Sequence, residues 1–281
     1  MSVFIAGSLH LDVVLSAPHL PRADETVTGS AVDYVFGGKG GNQALAAARM
    51  GADVAFAGRA GSDRFGDMIR EALENSQIDL SQLQRDAGPS GMSAAIVDKN
   101  GDYGAVIVSA ANLNIDAHAV KVPDRTSVVV LQNEVPEEVN AAIARKAHAT
   151  GAQVWLNAAP ARPLSDAVLD AVDVLIVNRV EAAFFAETAG SHRVLTTLGA
   201  EGVVYQGRKW PAFSVDVVST HGAGDMFVGA LAAEVDAGRA IDEAVPFAQA
   251  AAALHVSLEL TERARMDRAR VAAFLAAHSS R

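Results

Sequence analysis

Ser219-Thr220-His221-Gly222-Ala223-Gly224-Asp225-Met226-Phe227 decides how this chain is read. A Gly-Ala-Gly turn runs straight into the apolar pattern of a helix, and an aspartate stands at the junction. The first N–H groups of a helix have no partner inside it, and the macrodipole makes that end positive. Small residues let a phosphate come close to those N–H groups. Gly222, Ala223 and Gly224 can therefore hold the oxygens of a transferring phosphate, with Asp225 facing the nucleophile. That arrangement suits transfer of a phosphoryl group to a small hydroxyl compound. Taken alone, the tetrapeptide also reads as an ordinary helix start, because Asp is a favoured N-cap and Gly is common loop chemistry. A dinucleotide fingerprint is excluded, since Phe227 stands where its last glycine belongs. No Gly-x-x-x-x-Gly-Lys-Ser/Thr occurs, which excludes a P-loop.

The chain has 281 residues, 50% of them hydrophobic, enough to bury a full core. It is read as a single α/β domain spanning 1–281. A net charge of −10 argues against nucleic acid or an anionic membrane as partner. An anionic substrate would then need a local positive site. There is no cysteine, so no disulfide framework and no thiol chemistry. Met1–Gly7 lacks a basic leader and reads as a first strand. The most apolar helical stretch, Ala244–Val256, contains Pro246, Gln249 and His255 and is too short to cross a bilayer. A soluble cytoplasmic protein is expected.

Short β-branched runs recur at Val3–Gly7, Val54–Gly58, Val128–Leu131, Val174–Val177 and Val194–Thr197. Between most of them lie Ala-rich stretches at helical spacing, among them Phe65–Asn75, Pro136–Thr150 and Ser165–Ala171. Continuous apolar strands alternating with helices predict a mostly parallel sheet covered on both faces. Thr26–Phe36 and Met92–Ser109 break the alternation and read as strands, the second with the hairpin turn Lys99-Asn100-Gly101-Asp102. Strands inserted at about 13–36 and 89–110 are expected to form a small β lid, or else an extra sheet edge. An exposed flap of this kind can also pair two copies of the chain into a homodimer.

Gly37-Gly38-Lys39-Gly40-Gly41-Asn42-Gln43 precedes a helix read as Ala44–Met50. Its glycines let backbone N–H groups approach a polyol, Asn42 can both donate to and accept from hydroxyls, and Lys39 can bind phosphate or sugar oxygens. A flexible loop with a solvated lysine is the competing reading. Upstream, Gly7-Ser8-Leu9-His10-Leu11-Asp12 reads as the end of the first strand, where ligands bind in open α/β sheets. Asp12 could chelate two adjacent hydroxyls, or simply cap a turn.

Taken together and in order, these pieces resemble the ribokinase-like carbohydrate kinases, the PfkB family. The resemblance runs through Gly7–Asp12, Gly37–Gly51, Ala60–Gly66, Leu131–Glu134, Asn178–Glu181, Thr197–Gly202 and Gly222–Asp225, nearly the whole chain. Each motif alone is weak; the ordered set is specific. The resemblance implies that Asp225 is the catalytic base and that Gly222, Ala223 and Gly224 form an anion hole. It implies sugar contacts from Asp12, Gly38, Lys39, Asn42 and Glu134, with His10 in the neighbouring position. Asn178 and Glu181 match an Asn-x-x-Glu motif near the phosphates and Mg²⁺, with Glu181 acting through water and no residue assigned as a direct metal ligand. Thr197, Gly199 and Gly202 fall on the turn that borders the nucleotide. ATP and Mg²⁺ are the implied cofactors, a sugar or nucleoside the implied substrate, and the implied fold is a central sheet between helices with a small β lid.

Asp225, close to a helix N-terminus, is expected to have a lowered pKa. Three departures from the family pattern bear on function. Ser219 and His221 replace residues of a monovalent-cation site, which puts K⁺ in doubt; either K⁺ is dispensable or a protonated His221 supplies part of the positive field. His10-Leu11-Asp12 replaces Asn-x-Asp, so a nucleoside or another sugar competes with ribose as substrate, with Tyr34, Phe36 and Tyr103 as a candidate platform for a base. The charged tail after Leu260 reads as a solvated last helix. A catalytically quiet sugar- or nucleotide-binding protein is the rival from another class.

Overall fold

A computed structural model describes residues 1–187 and 193–279. In chain order its elements are β1 (Ser2–Ala6), β2 (His10–Ala17), β3 (Ala31–Gly37), α1 (Lys39–Arg49), β4 (Val54–Ala60), α2 (Arg64–Glu74), β5 (Asp79–Arg85), β6 (Met92–Asp98) and β7 (Tyr103–Val108). There follow β8 (Thr126–Gln132), α3 (Glu137–Thr150), β9 (Gln153–Asn157), α4 (Asp166–Leu169), β10 (Val174–Asn178), α5 (Arg179–Phe184) and β11 (Arg193–Thr197). The last are β12 (Val203–Tyr205), β13 (Arg208–Trp210), α6 (Ala223–Asp236), α7 (Ile241–Val256), α8 (Leu260–Arg263) and α9 (Arg268–Ser279).

The large sheet runs β13-β12-β11-β10-β9-β8-β1-β4-β5. Its pairings are parallel from β11 through to β5, and β12 and β13 close one edge antiparallel. Residues alternate between two cores, as a pleated strand requires. Val3, Ile5, Val128 and Val130 pack with α1, α6 and α7, while Phe4, Ala6, Val129 and Leu131 pack with α3 on the opposite face. Burial on both sides is why these strands are continuously apolar in sequence. This is the expected covered, mostly parallel sheet.

The second sheet, β3-β2-β6-β7, is the lid. The first strand of the chain stops at Ala6, and His10–Ala17 is a separate lid strand, so His10 and Asp12 belong to the lid rather than to the end of β1. Residues 26–30 are not strand; β3 begins at Ala31. Helix α1 likewise starts earlier than the apolar pattern suggested, at Lys39 instead of Ala44. The reason is space: a Cβ on Gly40 would lie 2.7 Å from the Gly7 carbonyl carbon and the Ser8 nitrogen, so this first turn is packed against the chain leaving β1. Glycine here permits contact rather than flexibility.

Helices α1 and α6 cross at comparably close range. A Cβ on Gly229 would stand 2.5 Å from the Ala46 Cβ and 2.6 Å from the Gln43 carbonyl oxygen. Gly229→Ala should therefore destabilise the fold by about 1–3 kcal/mol, the usual range for overpacking. Urea denaturation of the variant beside the parent checks this, and an unchanged midpoint would show that the two helices are not held at this distance.

Candidate active site

The site residues stand where strands of the parallel sheet end: Ser8 after β1, Glu134 after β8, Asn157 on β9, Asn178 on β10 and Thr197 on β11. Two helix N-termini point into the same region. At α1 there is no side-chain cap from Gly38; the Lys39 N–H instead donates to Glu134 Oε2 at 2.8 Å, and the Ser8 hydroxyl donates to the same oxygen. A carboxylate at a helix N-terminus is favoured by the dipole and satisfies an orphan donor. The Lys39 ammonium lies 3.9 Å from the other Glu134 oxygen.

At α6 the N-cap is Gly222 at φ 76°, a left-handed conformation that suits glycine, and it offers no side-chain cap. The Ala223 N–H is engaged with the Thr220 carbonyl at 3.2 Å. The N–H groups of Gly224 and Asp225 find no acceptor among the described residues. They are free donors at the positive end of a 14-residue helix.

Asp225 lies in that first turn and is 9% exposed. Gln43 Nε2 donates to its Oδ1 at 3.0 Å, and Asn42 Nδ2 lies 3.4 Å from Oδ2. Gln43 Nε2 also reaches Asn157 Oδ1 at 3.0 Å, and Gln132 Nε2 donates to Gln43 Oε1 at 2.9 Å. The carboxylate is thus aimed by a chain of amides on α1, β8 and β9. Its pKa is raised, not lowered as the sequence suggested. Burial is the largest influence and disfavours the charged form; Lys39 opposes it, as do the hydrogen bonds from Gln43 and Asn42, while Glu134 adds to the rise. The sequence reading considered the helix end and could not see the burial.

Two cavities join at this point. One, of about 520 Å³, is walled by Lys39, Asn178, Glu181, Gly199, Gly222 and Asp225. The other, of about 480 Å³, is mostly apolar, with Val203, Phe213, Val217, Ala252 and Val256 beside Thr197, Gly199 and Gly202. They share Thr197, Gly199, Ala223 and Gly224, so a cleft runs from an apolar end, past the free N–H groups of α6, to Asp225. Glycine at 202 has a packing reason as well, since a Cβ there would lie 1.9 Å from the Trp210 carbonyl oxygen. Asn178 and Glu181 form a reciprocal capping box at the start of α5. The Glu181 carboxyl is raised by burial first, with the Asn178 N–H and Lys39 pulling it back.

His10 and Asp12 line neither of these two cavities. They reach the site through the backbone, where a Cβ on Gly38 would stand 2.8 Å from the His10 nitrogen. His10 is 4% exposed, and its Nε2 has no hydrogen-bond partner among the described residues. Asp12 Oδ1 accepts from the Ser93 hydroxyl at 2.6 Å. Sequence reasoning missed Gln43, Gln132, Asn157 and Ser93. Gln43 and Gln132 lay inside motifs already quoted, and the polar ends of the short run Gln153–Asn157, just after the helix-ending Gly151, were the signal for β9.

The chain matches the family described as pfkB family carbohydrate kinase over residues 2–265. It is 34% identical to the ribokinase of Bacillus subtilis over 271 residues, covering 91% of this chain and 92% of that one. Among solved structures, the ribokinase of Thermotoga maritima superposes with a TM-score of 0.87 at 29% identity, covering 98% of this chain and 99% of that one. An Arabidopsis thaliana ribokinase complexed with ribose and ATP also gives 0.87, at 26% identity, covering 98% of each chain. The chain belongs to the pfkB family and has the ribokinase fold. It is an ATP-dependent carbohydrate kinase.

If Asp225 must be ionised to work, its raised pKa puts the acid limb of kcat/KM above the ordinary Asp value of about 3.9. Lys39 favours the ionised form, so Lys39→Met should move that limb to still higher pH. A pH–rate profile of both proteins tests this; a limb that stays in place, or moves down, contradicts the assignment.

Proposed function

We propose that this kinase transfers the γ-phosphoryl group of ATP to the hydroxymethyl group of a small, ribose-like sugar. The observation that carries the reading is a buried carboxylate, Asp225, beside two unpartnered N–H groups at the start of α6. Phosphoryl transfer needs little covalent help from the protein; it needs in-line positioning and neutralisation of charge.

In this reading the apolar end of the cleft takes adenine. The N–H groups of Gly224 and Asp225 hold the γ-phosphate, with Gly222 and Ala223 shaping the turn. Lys39 adds positive charge between Glu134 and Asp225. Asp225 accepts a hydrogen bond from the substrate hydroxyl and takes its proton as the bond to phosphorus forms. Asn42 orients the same hydroxyl group's carbon framework, while Asp12, Glu134 and the unpartnered Nε2 of His10 receive the ring hydroxyls. Glu181 and Asn178 on the cleft wall would hold Mg²⁺, which needs only one or two protein carboxylates and would supply charge neutralisation.

A second reading, a nucleoside kinase of the same fold, draws on Tyr34 and Phe36. Both line a cavity of about 300 Å³ that also reaches Asp225. Tyr103 does not support it as a platform, being 71% exposed on β7. The outer strand of the lid, β7, is apolar and uncovered: Val106 is 67% exposed, and its neighbour Ile107, on the opposite face of the strand, 62%. That pattern supports a homodimer through the lid. Ile107→Asp should then shift the mass in solution, read by analytical ultracentrifugation, from two chains to one. A parent that sediments as a monomer contradicts the dimer.

ADP release from Mg·ATP against a panel of sugars and nucleosides tests the substrate, and Asp225→Asn tests the base. The variant should lose about 10²–10⁴-fold in kcat, the usual weight of general-base help. Its melting temperature relative to the parent should rise as the pH is raised. The folded carboxyl sits above its unfolded value, so its contribution to stability is full below the unfolded pKa and is lost as pH rises through the folded one. Near-parental turnover by Asp225→Asn would remove Asp225 from the mechanism.

A further inference from the structure

The loop before the phosphate-holding turn is fastened by an arginine from the tail of the chain. Arg263, at the end of α8, is 6% exposed. Its Nη2 donates to the Ser219 carbonyl at 2.8 Å, its Nη1 to the His221 carbonyl at 3.2 Å, and its Nε to the Leu258 carbonyl at 2.9 Å. No carboxylate among the described residues forms an ion pair with it, although Glu259 supports its charge from a greater distance. A buried charge is costly unless its donors are satisfied. Here main-chain oxygens satisfy them, and two of the three belong to the residues at positions 219 and 221, directly before the Gly222 turn.

The tail was expected to be solvated; this residue is not. The imidazole of His255 lies at the same carbonyl of His221, 2.9 Å from its Nε2. Since a carbonyl only accepts, Nε2 carries the proton and His255 is bound as a donor. Burial pushes the His255 pKa down, which keeps the ring neutral beside the guanidinium. The side chain of His221 itself is exposed, and only its carbonyl takes part.

We infer that Arg263 is a resident cation: its guanidinium gathers the carbonyls of Ser219 and His221, fixes the Gly222–Gly224 turn, and makes phosphoryl transfer independent of monovalent metal ions. Converging carbonyl oxygens are the ligands a hard cation such as K⁺ would take. In this chain their donors come from a planar fork that a point charge cannot reproduce. Arg263 is a positioning residue, because it acts through the turn. The inference rests on the kinase reading above, in which that turn holds the γ-phosphate.

The test compares the parent enzyme, Arg263→Ala and Arg263→Lys in KCl and in choline chloride, reading both turnover and melting temperature. The parent should turn over equally in the two salts and melt at the same temperature in each. Arg263→Ala should lose about 10²-fold in kcat, the order expected when reacting groups are displaced by about 1 Å. Low concentrations of guanidinium ion should restore part of that loss. Arg263→Lys should fall between the two and keeps the test alive if the alanine variant does not fold. The inference is overturned if KCl strongly activates the parent or raises its melting temperature. It is equally overturned if a folded Arg263→Ala keeps its kcat or does not respond to guanidinium. A parent with no turnover on any sugar or nucleoside would instead refute the kinase reading, and equal melting temperatures in the two salts would still support the resident cation.

Discussion

The hydrogen bond from Gln43 to Asp225 is the contact on which the site depends, because it joins the two helices that build it. Helix α1 carries Asn42 and Gln43, and α6 carries Asp225. The two can meet only because Gly229 leaves no side chain at their crossing, and α1 begins where it does only because Gly40 lies against the chain leaving β1. Each helix start is then tied separately. Glu134 takes the first N–H of α1, and Arg263 fastens the loop that leads into α6. The carboxylate sits between two positive helix ends, yet its burial outweighs them and raises its pKa. A carboxyl held this way is more basic than a solvated aspartate, which suits the proton-accepting role proposed for it.

The parallel sheet explains how one chain collects these groups. Strands ending side by side deliver Ser8, Glu134, Asn157, Asn178 and Thr197 to one edge, the edge where open α/β sheets bind ligands. The cleft along that edge is divided chemically. Its apolar end, around Phe213 and Val217, has no charged side chain, and its polar end gathers Lys39, Glu181 and Asp225. A nucleotide has the same division, a base at one end and phosphates at the other. The lid stands apart as a second sheet whose outer strand β7 is exposed throughout.

How much of this could be read beforehand follows from the range of the interactions. The turn Gly222–Asp225 was legible because its chemistry is local: small residues, a helix start and one carboxylate adjacent in sequence. The covered sheet was legible because strands buried on both faces read as continuous apolar runs between helical stretches. Gln43 was not, since nothing near it indicates a partner 182 residues away. Arg263 was hidden among the neighbouring charges of Glu262 and Arg265, and only the fold separates the buried one from the more exposed ones. The direction of the Asp225 shift was misread for the same reason: a helix end shows in sequence and desolvation does not. His10 shows the same limit, for its place in a lid strand and the burial of its Nε2 depend on a fold that the sequence does not display.

The central claim is that the cleft delivers the γ-phosphoryl group to a hydroxymethyl oxygen held by Asp225, and not to water. The most direct measurement is phosphorus NMR of the products formed from Mg·ATP and ribose. The account predicts ADP matched by a phosphate monoester coupled to the two hydrogens of the hydroxymethyl carbon, with little inorganic phosphate. ADP matched by inorganic phosphate, or an ester on a ring hydroxyl, would contradict it.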